Sequence, residues 1–160
     1  MSVAFTKEES AETAAETQLP ERPISPHPNL VSEQGLKRLE RQLQDAKSAF
    51  ETAQKTEDVN ERRRLSAIPL RDMRYFAERV RTARVITAPD ATEIVAFGST
   101  VTFSRADGRE QTYRIVGEDE ADPKAGSISY VSPVARAVMG KVVGDVVTAG
   151  NQGIEILGIS

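Results

Sequence analysis

Apolar residues along this chain follow two different periods, and the change comes near residue 94. Between residues 32 and 57, Leu36, Leu39, Leu43, Ala46, Phe50 and Ala53 recur at spacings 3-4-3-4-3. That spacing predicts a helix with one apolar seam, and Ser32 is placed to cap its start. Arg38, Glu40, Arg41 and Gln42 fall off the seam. A second seam runs through Met73, Phe76, Val80 and Ala83, before the run VITAPD. A lone amphipathic helix cannot bury its stripe, but two joined by a short connection bury each other as an antiparallel hairpin. Pro69 interrupts the second arm. It either kinks that helix or sits in its first turn with Ser66 as the cap.

From residue 94 the period becomes two. STVTFSRADGREQTYRIV predicts a strand, an Asp107-Gly108 turn and a second strand. An acidic loop, GEDEADPKAG, leads to a third strand at SISYV. SPVARAVMG predicts a short helix, with Ser132 as cap, Pro133 at the first position and Gly140 as the stop. GDVVTAGNQGIEILGIS predicts a final strand pair around an Asn-Gln-Gly turn. The fold class expected is α+β: a helical hairpin followed by a small domain with a curved antiparallel sheet and one short helix. The boundaries expected are 31–87 for the hairpin and 88–160 for the β domain. Residues 1–30, alanine-rich and then proline-rich (PERPISPHPN), are expected to be a disordered, dispensable tail.

Composition narrows the chemistry. There is no cysteine, hence no disulfide or thiolate, and the one histidine, His27, lies between prolines. A His-based zinc site and a Ser-His-Asp triad are set aside on that ground. No apolar run reaches the roughly 18 residues of a membrane span, and the first residues lack the apolar stretch of a secretory signal. A cytoplasmic, monomeric protein is expected. The net charge of −3 conceals a split: −4 over residues 1–35, +5 over 36–86 and −4 over 87–160. A basic middle suits an acidic surface or a nucleic acid, or a solvated, salt-bridged helix face.

The sharpest charge change falls at the turn between the helices, in EDVNERRRLS, residues 57 to 66. Asp58 and Glu61 lie three apart, so both point the same way on a first helical turn. Two readings are open from spacing alone. They form a capping box, Asp58 capping and Glu61 reaching back, or they offer hard oxygen ligands to a divalent cation. In the β domain, Glu118, Asp119, Glu120 and Asp122 lack the alternating ligand pattern of an EF-hand loop and read as a solvated turn. No phosphate-cradling glycine pattern occurs, and Arg62, Arg63 and Arg64 lack the interleaved aromatics of a single-strand stacking surface.

RIVGEDEADPKAGSISYVSPVARAVMGKVVGDVV resembles the C-terminal domain of the bacterial GreA/GreB transcription elongation factors, with the IVGEDEAD and SPxARAxxGKxxGD blocks intact. LVSEQGLKRLERQL is similar to the start of their coiled coil, and TARVI to its end. The resemblance covers about residues 30–160. It implies an FKBP-like C-terminal domain that docks on RNA polymerase at the mouth of the secondary channel, with Val131, Ser132 and Pro133 at the contact. It also implies a coiled coil whose tip carries two acids in a D-[LV]-x-E pattern. Those acids help hold a catalytic Mg²⁺ shared with the polymerase, which then cleaves its own backtracked RNA. Here the tetrad is Asp58-Val59-Asn60-Glu61. The implied protein is not itself an enzyme, binds no cofactor stably, and meets the nascent RNA 3′ end. The sequence departs from the family at Arg62, Arg63 and Arg64, which follow the tetrad, and at Pro69. Each arm is also about one heptad shorter, a loss of about 10 Å of reach at 1.5 Å per residue. Shortened arms are shared with the nucleoside diphosphate kinase regulators, so a non-cleaving secondary-channel regulator is the alternative. A third reading, a peptidyl-prolyl isomerase, is disfavoured by the sparse aromatics after residue 94 (Phe97, Phe103, Tyr113, Tyr130).

Overall fold

The computed structural model describes residues 19–90 and 93–160. The chain forms two compact units: Leu39–Arg81 with the segment leading to Ile24, and Ser25–Arg38 with Thr82–Ser160.

In the first unit, helix α1 (Glu33–Gln54, entering the unit at Leu39) and helix α2 (Val59–Thr82) are joined by four residues. On α1 the seam is buried as its spacing requires: Leu39, Ala46 and Ala53 are inside, with Leu43 and Phe50 half-buried. On α2, Phe76 is buried and Met73 and Val80 are half-buried, but Ser66 and Arg79 are buried as well. Arg79 is 2% exposed, which no apolar pattern announces. Ser66 is not a cap. It lies inside α2, its hydroxyl donating to the Arg62 carbonyl (2.6 Å) and accepting from Gln54 Nε2 (2.8 Å), a polar tie between the two helices. Pro69 therefore falls within a continuous helix, where its missing N–H deprives the Leu65 carbonyl of its helical partner.

The second unit holds a five-stranded sheet and a two-stranded one. Strands β1 (Leu30–Val31) and β2 (Arg84–Val85) pair in parallel. The larger sheet is ordered β5-β4-β3-β7-β6, from β3 (Thr100–Arg105), β4 (Glu110–Val116), β5 (Ser127–Ser129), β6 (Val146–Ala149) and β7 (Gln152–Ile159). Alternation puts Val101 and Phe103 of β3 and Ile154 and Ile156 of β7 on one face. They pack with Val95, Ile115, Ile128 and two residues of helix α3 (Pro133–Val138), Ala135 and Val138. The sheet departs from the expected antiparallel arrangement at one pair: β5 runs parallel to β4. The ten residues between them, including a 3₁₀ turn at Pro123–Ala125, return the chain in the same direction. The last hairpin closes through Gly150 and Asn151, with Ala149 opposite Gln152 and Gly150 at φ +65°. This turn precedes the expected Asn-Gln-Gly by one residue, because the left-handed position falls to Gly150.

Of the segment expected to be a disordered tail, residues 1–18 lie outside the described residues. Residues 19–29 form neither helix nor strand, bend at residues 26–27, and make specific contacts: Arg22 pairs with Asp72, Ser25 Oγ donates to Glu118, and Asn29 is 6% exposed. The proline spacing excludes helix here but not ordered packing.

Candidate functional site: the hairpin tip and the start of helix α3

Asp58 ends the four-residue connection, and Val59 opens α2. Asp58 is the N-cap: its Oδ1 accepts from the Glu61 N–H at 2.7 Å, and its carbonyl accepts from the Arg62 N–H at 2.9 Å. Glu61 sits in the first turn, where a carboxylate is favoured by the helix dipole. Half of the capping box is thus formed. The Glu61 carboxylate, instead of reaching back to the cap, accepts from Arg64 through Nε (3.2 Å) and Nη2. That pairing holds the Arg64 pKa above the ordinary arginine value, through the hydrogen bond first and the charge attraction second. Arg62 turns towards the connection and reaches the Thr56 carbonyl at 3.4 Å. Arg63 is exposed. The three arginines therefore differ in role: one braces the turn, one clamps Glu61 and one faces solvent.

Both acids are held at one end of the hairpin, Asp58 exposed and Glu61 half-exposed. Their oxygens suit a hard cation such as Mg²⁺, which takes one or two carboxylates and completes its shell with water or phosphate. Among the described residues no three His, Cys, Asp or Glu side chains gather as metal ligands. The tip thus offers two carboxylates and no closed cage.

In the second unit, Ser132 caps α3, its Oγ accepting from the Ala135 N–H at 3.3 Å, and Pro133 takes the first helical position. Pro133 is exposed, while Val131 and Ser132 are half-buried. The acidic loop is not simply a solvated turn. Glu120 accepts from the Ser32 N–H (3.0 Å), the Gly117 N–H (3.1 Å) and the Ser32 hydroxyl, while Ser32 Oγ caps α1 by accepting from the Gly35 N–H at 3.0 Å. Gly35 is required by this docking: a Cβ there would sit 2.1 Å from Glu120 Cδ. Sequence reading placed Ser32 correctly and missed Glu120, whose role depends on two segments 88 residues apart.

The family model for the GreA/GreB C-terminal domain of transcription elongation factors matches residues 90–160. A transcription elongation factor GreA from Desulfovibrio desulfuricans is 35% identical over 149 residues, spanning 81% of this chain and 92% of that protein. The chain belongs to the GreA/GreB family. A GreA from Bacillus licheniformis is 48% identical over 80 residues, 49% of this chain and 51% of that protein. One from Legionella pneumophila is 58% identical over 60 residues, 37% of this chain and 38% of that protein. This chain thus spans about half the length, or less, of several curated relatives it matches. A solved GreA/GreB factor from Nitrosomonas europaea is 24% identical, covering 82% of this chain and 98% of that one, at a TM-score of 0.39. The α+β architecture expected from sequence, a helical hairpin and a β domain, is what the structure shows. No helix among the described residues is long and apolar enough to cross a membrane.

Proposed function

We propose that this chain is a transcription elongation factor that binds RNA polymerase through its secondary channel and stimulates cleavage of backtracked RNA with its hairpin tip. The observation that carries the reading is the pair Asp58 and Glu61, held on the cap and first turn of α2 at the end of the hairpin. A Mg²⁺ ion bound there, and shared with the polymerase, would stabilise charge on the attacking and leaving oxygens of the phosphodiester. Asp58 is oriented by the Glu61 N–H, which leaves Oδ2 for a cation. Glu61 is oriented by Arg64, an exposed pair whose net strength is small enough to exchange. Arg64, once released, is a bidentate phosphate ligand for the RNA 3′ end. Val131, Ser132 and Pro133 make the polymerase contact. The chain is the carrier of the ligands and not itself the enzyme.

The alternative, a secondary-channel regulator without cleavage, has one observation in its favour. Both Glu61 oxygens are already engaged by Arg64, on a hairpin whose arms are only 22 and 24 residues long. A cleavage assay on stalled polymerase complexes separates the two. The wild type should yield shortened RNA, and Asp58→Asn with Glu61→Gln should abolish it while binding is kept. Asn still caps a helix well, so the stability of the tip is preserved. Tight binding without shortened RNA, even at high Mg²⁺, leaves the regulator.

A further inference from the structure

The segment before the hairpin unit carries LPERP, with Pro20 and Pro23 on either side of Glu21 and Arg22. Two prolines so placed exclude helix and hold the chain extended. On α2, Asp72, Tyr75 and Phe76 stand at i, i+3 and i+4 and so share one face. Arg22 lies on that face. Its guanidinium carbon is 3.9 Å from the centroid of the Tyr75 ring and 5.0 Å from that of Phe76, and its Nη1 is 3.3 Å from Asp72 Oδ1. Glu21 pairs with Arg74 beside it. Arg22 also forms one wall of a groove of about 410 Å³ whose other lining includes Gln42 and Ala46 of α1 and Ile68, Pro69 and Phe76 of α2.

We propose that the segment around Glu21 and Arg22 is an intramolecular strap, and that Arg22 latches α2 in the turn that follows Pro69. The helix lacks one of its backbone hydrogen bonds there. Pro69 donates no hydrogen bond to the Leu65 carbonyl, and on the Asp72 side of Pro69 the α1 residues lining the groove include Ala46 and Ala49, which bury little area. A planar guanidinium stacked on a ring and partly withdrawn from water supplies what the seam lacks. Arg71 also lies 3.4 Å from Asp72, so the carboxylate keeps a counterion when Arg22 is removed. What Arg22 adds beyond the ion pair is the stacking of its guanidinium on Tyr75. The strap thus sets how rigidly α2 is held, independently of any role for the tip acids.

The test is native-state hydrogen exchange on the full chain. With Arg22→Gln, amides between residues 70 and 76 should exchange about tenfold faster, the size expected for a half-buried cation–π contact plus a screened ion pair. Amides of β3, β4 and β7 should be unchanged, which reports that the chain remains folded. Tyr75→Leu should produce a similar acceleration, and the double variant should be no faster than the faster single one. Arg22→Lys, which keeps the charge without the planar group, should fall between. Exchange within twofold of wild type in Arg22→Gln would overturn the proposal. So would single effects that simply multiply in the double variant, since independent sites do not form a latch.

Discussion

Replacing Glu120 by alanine should destabilise the second unit by about 3 kcal/mol. The carboxylate accepts from the Ser32 N–H, the Gly117 N–H and the Ser32 hydroxyl. Ser32 is 6% exposed and Gly117 is buried, so water reaches their N–H groups poorly once the acceptor is gone. A buried donor left without a partner costs about 1–3 kcal/mol, which for two gives about 2–6 kcal/mol. Two features pull the figure to the lower half. A cleft of about 250 Å³ lined by Gln34, Gly35, Arg38 and Glu120 admits water beside the site. Ser32 Oγ, for its part, still caps α1 through the Gly35 N–H. For a chain of this size 1 kcal/mol moves the melting temperature by about 2–4 °C, so thermal unfolding followed by circular dichroism should show a fall of about 6–12 °C. Glu120→Gln should lose roughly half as much, because one amide oxygen can still accept while its NH₂ faces donors. A Glu120→Ala variant melting within 2 °C of wild type would show that the carboxylate is not what fastens the start of α1.

Pro133→Glu should weaken polymerase binding in a pull-down and leave the melting temperature within a few degrees, because the side chain is exposed and Ser132 still caps α3; unchanged affinity would remove this end of α3 from the docking surface. Pro69→Ala should raise stability by about 1–2 kcal/mol, the return of the Leu65 hydrogen bond set against lost ring packing in the groove; a lower melting temperature would mean that the proline's packing outweighs the missing bond.

Much of this architecture is set by local pattern. The 3-4 spacing of Leu39, Leu43, Ala46, Phe50 and Ala53 fixes which face of α1 is buried, because a helix has one period whatever it packs against. Alternation in β3, the Asp107-Gly108 turn and the Ser132-Pro133 start of α3 are equally short-range, each decided within a few residues. The GreA/GreB resemblance was legible for the same reason, since its blocks are contiguous in the chain. Only the tertiary structure decides the remainder. The direction of β5 depends on how ten intervening residues return, and pairing of β1 with β2 joins segments more than 50 residues apart. Glu120 becomes the fastening of α1, and Arg22 a latch on α2, through contacts that no periodicity encodes. At the tip, sequence placed Asp58 and Glu61 on one turn. That Glu61 is clamped by Arg64 and not folded back on the cap is a choice between near-equal hydrogen bonds at an exposed site. Such choices follow from side-chain geometry in the folded chain, because each alternative satisfies the same local rules of charge and capping.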